Sequence, residues 1–115
     1  MVAMMLESEF QIVGQAENGK EVLELVSRRS PNVLVLDIFM PLLNGIEAAH
    51  RVRASGVSTA VVILTVNEDL DFLRAAISVG ALGYVLKSHL ATDLIPAIRA
   101  VLQGDLYVSP SMHFH

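Results

Sequence analysis

The fold is decided by residues 33 to 48, whose sequence is VLVLDIFMPLLNGIEA. A continuous apolar run leads directly into Asp37, and a loop containing Pro41 then separates it from a helical pattern that Asn44 would cap. Short apolar runs without alternation are typical of strands buried on both faces, as in parallel sheets covered by helices. We therefore predict a buried strand at 32–36, a loop, and a helix at 44–54.

The same alternation of strand and helix continues on both sides of this stretch. Upstream, residues 1–8 fit the end of a helix, residues 11–16 fit a short strand, and Asn18 would cap a helix that ends before Pro31. Downstream, the pattern predicts strands at 60–64 and 83–86, and helices at 68–79 and 92–103. Thr92 would cap the last helix, Gly80 and Gly104 would end the two helices, and the residues from 106 onward show no periodicity. Strands alternating with helices over short connections indicate an α/β domain with a parallel sheet.

Length and composition exclude several classes of protein. The chain has 115 residues, which suits one domain of the usual ~100–150 residues. It has no cysteine, which excludes a disulfide framework, a cysteine nucleophile and a thiolate zinc site. A net charge of −4 without tryptophan argues against direct nucleic-acid binding. The apolar runs are far shorter than the ~20 residues of a membrane span, and the start lacks a signal peptide's basic flank. We expect a cytoplasmic domain without membrane contact.

Three polar residues follow the predicted strands at the points where the strands end: Asp37, Thr65 and Lys87. Ligands of open parallel sheets bind beyond the carboxyl ends of the strands. There a carboxylate can accept a phosphoryl group, a lysine can stabilise its charge, and a hydroxyl can bond one of its oxygens. The alternative is that Asp37 caps a turn, Thr65 merely ends a strand, and Lys87 is a solvated cation.

Four stretches together carry a family resemblance: D-x-x-M-P-x-x-x-G over 37–45, VVILT at 61–65, GALGYVLKS at 80–88, and IRAVLQGDLYVSP at 98–110. On these residues the chain resembles the receiver domain of two-component response regulators, above all the subgroup linked to LuxR-type helix-turn-helix output domains. The resemblance implies a flavodoxin-like, three-layer α/β fold with strand order 2-1-3-4-5.

The resemblance also implies residue roles. Asp37 would accept a phosphoryl group from a sensor histidine kinase, Lys87 would pair with a phosphoryl oxygen, and the Thr65 hydroxyl would move to contact it. Tyr84 would be the switch aromatic that turns inward; without the family it would be interpreted as a half-buried core residue with a wet hydroxyl. Mg²⁺ would be held by Asp37 and the backbone carbonyl of Phe39, and the site would be lined by Met40, Pro41, Val66 and Asn67.

The start of the sequence departs from the family pattern. Receiver domains begin with a strand that ends in two Mg²⁺-binding acidic residues, whereas residues 1–8 match the end of the helix that follows. Glu7 and Glu9 would lie on the wrong side of the strand at 11–16 to reach Asp37, so we do not expect them to replace that acidic pair. We therefore expect an N-terminally truncated receiver domain at 1–110, lacking the first strand and keeping four, with an irregular tail at 111–115.

The missing strand would leave one flank of the strand at 32–36 open. An open apolar edge tends to recruit another strand. We expect that either the strand at 11–16 pairs with it directly, or two chains form a homodimer by strand exchange.

The leading functional hypothesis is a phosphorelay receiver domain, not an enzyme, whose phosphorylation on Asp37 switches an interaction surface that controls transcriptional output. DNA would be contacted only through an output domain outside these residues. The alternative hypothesis is a degenerate interaction or dimerisation domain that works without phosphorylation, because the acidic pair is missing.

Overall fold

The computed structural model describes residues 10, 11, 14, 18–37, 45–66 and 70–110. The predicted helix at 1–8, most of the predicted strand at 11–16, and the loop at 38–44 lie outside the described residues. The helices are α1 (Gly19–Arg29), α2 (Gly45–Ala54), α3 (Leu70–Ser78) and α4 (Leu90–Leu102), and a 3₁₀ turn covers Lys87–His89. The strands are β1 (Val33–Asp37), β2 (Ala60–Thr65), β3 (Gly83–Leu86) and β4 (Tyr107–Val108).

The four strands form one parallel sheet in the order β1-β2-β3-β4. The register places Asp37 opposite Leu64, and Thr65 opposite Leu86. Gly83 lies so close to β2 that a Cβ built on it would approach a methyl group of Val62 to 2.8 Å, so glycine permits this strand pairing. The predicted α/β class and parallel sheet are confirmed.

The sheet separates two apolar clusters. The first contains Val61 and Ile63 of β2 together with side chains of α1, α2 and α3. The second contains Val62 and Leu64 of β2 together with side chains of α4. Because successive side chains of a strand point to opposite faces, the clusters lie on opposite sides of the sheet and the fold has three layers. The prediction that β2 and β3 are buried on both faces is confirmed, since every residue of β3 and all but Ala60 of β2 are buried.

Several predicted helix ends are confirmed. The Asn18 side chain accepts a hydrogen bond from the Glu21 N–H at 3.0 Å, which satisfies one of the free donors at the start of α1. Gly80 and Gly104, which follow α3 and α4, have φ angles of +94° and +84°. Glycine adopts this left-handed conformation at little cost, and it ends a helix there.

One prediction near the end of the chain is wrong. The last helix begins at Leu90 rather than Thr92, and its cap position is His89; the Thr92 hydroxyl instead bonds the His89 carbonyl at 3.2 Å. The stretch from 106, which has no periodicity, also contains a strand that was not predicted: Tyr107 N–H donates to the Leu82 carbonyl at 2.8 Å and β4 pairs with β3. A two-residue strand is too short to produce a detectable alternation, which is why the sequence pattern missed it. The predicted irregular tail at 111–115 lies outside the described residues.

Candidate functional site

The sheet brings the three predicted strand ends to one edge. Asp37 is the last residue of β1, Thr65 is the last residue of β2, and Lys87 directly follows β3. In the register, Thr65 lies one residue beyond the β2 partner of Asp37, and Lys87 lies one residue beyond the β3 partner of Thr65. Adjacent strands are ~4.8 Å apart and rise ~3.3 Å per residue, so the Cα atoms of Asp37 and Thr65 are ~6 Å apart. Two of the three strand ends are thus direct neighbours, and the third lies one strand further on.

Thr65 is 0% exposed, so its hydroxyl lies inside the protein and not in the solvent above the sheet edge. No buried side-chain nitrogen or oxygen among the described residues lacks a hydrogen-bond partner, so this hydroxyl is satisfied. The expected movement of this hydroxyl on ligand binding stays a prediction.

Tyr84 is also buried, at 1% exposure, and belongs to the cluster shared with α2 and α3. The half-buried ring with a wet hydroxyl that its type alone would favour is therefore not what the structure contains. Tyr84 lies opposite Ile63, two residues before Thr65 on the neighbouring strand. The two side chains share a face of the sheet and are diagonal neighbours, which is the spacing at which large side chains still interact.

The remaining predicted site residues divide into two groups. Lys87 is exposed and opens the 3₁₀ turn, and Val66 is 69% exposed, a large apolar side chain directly after Thr65. The other residues lie outside the described part of the chain: Phe39, Met40, Pro41 and Asn67.

The expected Mg²⁺ ligands are Asp37 and the backbone carbonyl of Phe39, and Phe39 lies outside the described residues. Mg²⁺ takes oxygen ligands in octahedral geometry and is commonly held by one or two carboxylates together with water or phosphate oxygens. Within the described ranges, no group of three or more His, Cys, Asp or Glu side chains could hold a metal ion. The Mg²⁺ site stays a prediction.

A polar cluster next to the sheet edge was missed by the sequence analysis. Ser109 is 1% exposed and its hydroxyl donates to the carboxylate of Asp93 at 2.8 Å, while it accepts the N–H of Leu86 at 3.0 Å. Asp93 is 7% exposed, and the single hydroxyl hydrogen of Thr92 is shared between its carboxylate at 3.1 Å and the His89 carbonyl at 3.2 Å. Burial, then the charge of Asp93, then a hydrogen bond from the phenol to Asp93 raise the pKa of Tyr107 above its ordinary value. The available signal was the spacing of Tyr107 and Ser109, because residues two apart share one side of an extended chain.

Comparison with known proteins identifies the family. Residues 1–99 match the family described as Response regulator receiver domain, and the chain belongs to that family. The chain is 35% identical over 107 residues to the transcriptional regulatory protein DegU of Brevibacillus brevis, covering 93% of the chain and 45% of DegU. It is 35% identical over 102 residues to the response regulator GacA of Pseudomonas aeruginosa, covering 89% of the chain and 48% of GacA. The chain thus spans about half the length of the curated relatives it matches.

Solved structures support the same assignment. A LuxR-family two-component response regulator from Aurantimonas sp. superposes with a TM-score of 0.89 at 30% identity, over 95% of the chain and 79% of that structure. The isolated REC domain of RcsB from Salmonella enterica serovar Typhimurium, in the presence of phosphomimetic BeF3⁻, superposes with a TM-score of 0.86 at 25% identity, over 96% and 84%. The predicted flavodoxin-like receiver fold and the likeness to LuxR-type regulators are confirmed.

Proposed function

We propose that this domain accepts a phosphoryl group on Asp37 and switches an interaction surface that controls transcriptional output. The observation that supports the proposal is the placement of Asp37, Thr65 and Lys87 at the carboxyl ends of consecutive parallel strands. This edge is where open α/β sheets bind their ligands. The family and the relatives described as transcriptional regulators are consistent with that role.

The proposed chemistry is one phosphoryl transfer and not the turnover of a metabolite. A carboxylate oxygen of Asp37 forms a bond to phosphorus, while the bond between phosphorus and a histidine nitrogen of the sensor kinase breaks and the nitrogen keeps the electron pair. The ammonium of Lys87 stabilises the negative charge on the phosphoryl oxygens. The acyl phosphate then persists as the signal until water hydrolyses it.

The proposed switch uses the two buried side chains beside the site. When the Thr65 hydroxyl moves to bond a phosphoryl oxygen, the volume available to the Tyr84 ring on the same face of the sheet changes. Packed cores respond to such changes by moving between discrete arrangements, so α3 and the surface around it would shift in population. That surface is the one we expect to contact a partner.

The partners follow from this proposal. A sensor histidine kinase supplies the phosphoryl group, and DNA is reached through an output domain outside these residues. No helix in the described part of the chain is long and apolar enough to cross a membrane, and we place the domain in the cytoplasm, where response regulators typically act. A homodimer formed by strand exchange at β1 belongs to the same proposal, and light scattering on the purified chain at micromolar concentration distinguishes it from a monomer.

A second candidate function is an interaction domain that works without phosphorylation. It is kept as a candidate because the described residues supply no cluster of three or more His, Cys, Asp or Glu side chains for a metal ion, while Phe39 lies outside them. Receiver domains generally bind Mg²⁺ at the phosphorylation site, and a chain without that ion would take up a phosphoryl group poorly because like charges repel. The two candidates differ in whether Mg²⁺ and a phosphodonor change the protein.

Intact mass spectrometry after incubation with acetyl phosphate and Mg²⁺ tests the proposal. We expect the wild-type chain to gain one phosphoryl group that is lost on mild alkaline treatment, and Asp37→Asn to gain none. The matched control is Asp71→Asn, which removes an exposed carboxylate that pairs with Arg74 at 3.9 Å and should phosphorylate as the wild type does. An unmodified wild-type chain, with and without Mg²⁺, would favour the second candidate.

A further inference from the structure

The segment after α4, residues 106–110, is bound along the free side of β3. Tyr107 N–H donates to the carbonyl of Leu82 at 2.8 Å, and Ser109 N–H donates to the carbonyl of Tyr84 at 2.9 Å. The next bond in this row involves a side chain, since the N–H of Leu86 donates to the Ser109 hydroxyl at 3.0 Å. The backbone pairing is thus extended to the last residue of β3 by a serine.

Asp93 holds that serine in the required orientation. A hydroxyl has one hydrogen, and that of Ser109 is committed to the Asp93 carboxylate at 2.8 Å, so its lone pairs face the N–H of Leu86. A hydrogen bond to a carboxylate is shorter and stronger than one between neutral groups. Burial and the nearby charge of Asp93 raise the pKa of the Tyr107 phenol, which places Tyr107 beside the same carboxylate. We call Asp93, Tyr107 and Ser109 the latch.

The latch is connected to the candidate site through one peptide unit. Leu86 is 1% exposed with the segment attached, so removing the Ser109 hydroxyl alone leaves its N–H shielded from water and without this acceptor. The following residue is Lys87, where the chain turns from β3 into the 3₁₀ turn. The direction in which Lys87 leaves the sheet therefore depends on the backbone that Ser109 holds.

We propose that Asp93 and Ser109 are positioning residues for Lys87, and that the latch couples the attachment of residues 106–110 to the geometry of the candidate site. Detaching the segment breaks the hydrogen bond that holds the N–H of Leu86, and with it a restraint on the backbone that leads into Lys87. An ordered backbone at Lys87 therefore stabilises the attachment of residues 106–110. By reciprocity, attachment of this segment stabilises the ordered backbone at Lys87. The importance given to Lys87 rests on the proposed function, whereas the latch itself does not.

Amide hydrogen exchange measured by NMR tests the latch directly. In Ser109→Ala we expect exchange at Leu86 to accelerate by about 10- to 100-fold, because its acceptor is gone, while exchange at Ile63 in the central strand changes by less than about threefold. Ser109→Thr keeps the hydroxyl and should restore protection. The matched control is Ser55→Ala, whose hydroxyl donates to the Val52 carbonyl at 2.7 Å at the end of α2 and should leave Leu86 unchanged.

Unchanged exchange at Leu86 in Ser109→Ala, or equal acceleration at Leu86 and Ile63, would overturn the inference. If Ser109→Ala does not fold, Asp93→Asn provides the same comparison, because it keeps the shape and weakens the acceptor. Exchange at Leu86 must then rise above the change at Ile63.

The phosphorylation rate separates this inference from the proposed function. We expect Ser109→Ala to slow phosphorylation of Asp37 by acetyl phosphate about 10-fold, since small displacements of a positioned group carry large rate effects, and Ser109→Thr to recover most of the rate. A wild-type chain that is never phosphorylated overturns the proposed function, and the exchange at Leu86 still decides the latch. If the wild type is phosphorylated and Ser109→Ala is phosphorylated at the same rate as the wild type, the positioning role alone is overturned.

Discussion

The two sides of β3 are held by different means. Towards β2, β3 pairs in register along its full length, and the side chains around that pairing are buried and apolar. Towards β4 the register covers two residue pairs, and the attachment is completed by the side chains of Asp93, Tyr107 and Ser109. The pairing of β3 with β2 is therefore stabilised mainly by burial. The attachment of β4, whose Tyr107 and Val108 are only partly buried, relies more on a few polar contacts that single substitutions can remove.

The largest effect is expected on the β2 side. Ile63→Ala removes a fully buried side chain from the cluster shared with α1, α2 and α3, and we expect the free energy of unfolding to fall by about 2–5 kcal/mol. Leu106→Ala, which shortens a side chain that is exposed beside β4, should change it by less than about 0.5 kcal/mol. Urea unfolding followed by circular dichroism measures both. Equal losses in the two variants would remove the distinction between a buried centre and a polar edge.

An intermediate effect is expected at the latch. Asp93→Ala leaves the hydroxyls of Ser109 and Tyr107 without their acceptor, one of them in a buried position, and should lower the free energy of unfolding by about 1–3 kcal/mol. Asp71→Ala removes an exposed carboxylate on α3 and should cost less than about 0.5 kcal/mol. The same urea titration compares them. A loss in Asp93→Ala no larger than in Asp71→Ala would mean that backbone pairing alone holds the edge.

The smallest effect is expected from the titration of Tyr107. Burial and the charge and hydrogen bond of Asp93 raise the pKa of this phenol, so the folded chain holds the proton more tightly than the unfolded chain. The resulting contribution to stability is complete below the unfolded pKa of ~10 and is lost as the pH rises through the raised value.

The pKa of Tyr107 can be measured separately from that of the other tyrosine. In a Tyr84→Phe background Tyr107 is the remaining one of the two tyrosines, and its ultraviolet absorbance reports phenolate formation. We expect Asp93→Asn to lower the pKa of Tyr107 towards its ordinary value without reaching it, because burial remains. A Tyr107 that titrates at its ordinary value with Asp93 intact would contradict the contact.

Most of the fold was predictable from local patterns. Continuous apolar runs predicted β1, β2 and β3, and Asn18 followed by Glu21 predicted the start of α1. Such signals work because burial and capping act over a few neighbouring residues. Because open parallel sheets bind ligands beyond the carboxyl ends of their strands, Asp37, Thr65 and Lys87 were predictable as site candidates, and the structure places them at one end of the sheet. Their chemical roles stay predictions.

The latch was not predictable in the same way. Asp93 has the pattern of a helix-start carboxylate, and Ser109 lies sixteen positions further along the chain in a stretch without periodicity. Nothing in either local pattern indicates that the two side chains meet. The same reason explains the incorrect cap at Thr92, whose hydroxyl bonds the His89 carbonyl and the neighbouring Asp93 because α4 begins earlier than its composition suggests.

The α/β class, the positions of the buried strands along the chain, and the polar residues that follow them could be predicted from the sequence, because apolar runs and helix caps are local properties. The tertiary structure decided that Thr65 and Tyr84 are buried as diagonal neighbours, and that Ser109 replaces a backbone partner for Leu86 under the control of Asp93. Those arrangements depend on how strands and helices distant along the chain pack together. Packing brings together residues whose local sequence does not indicate the contact.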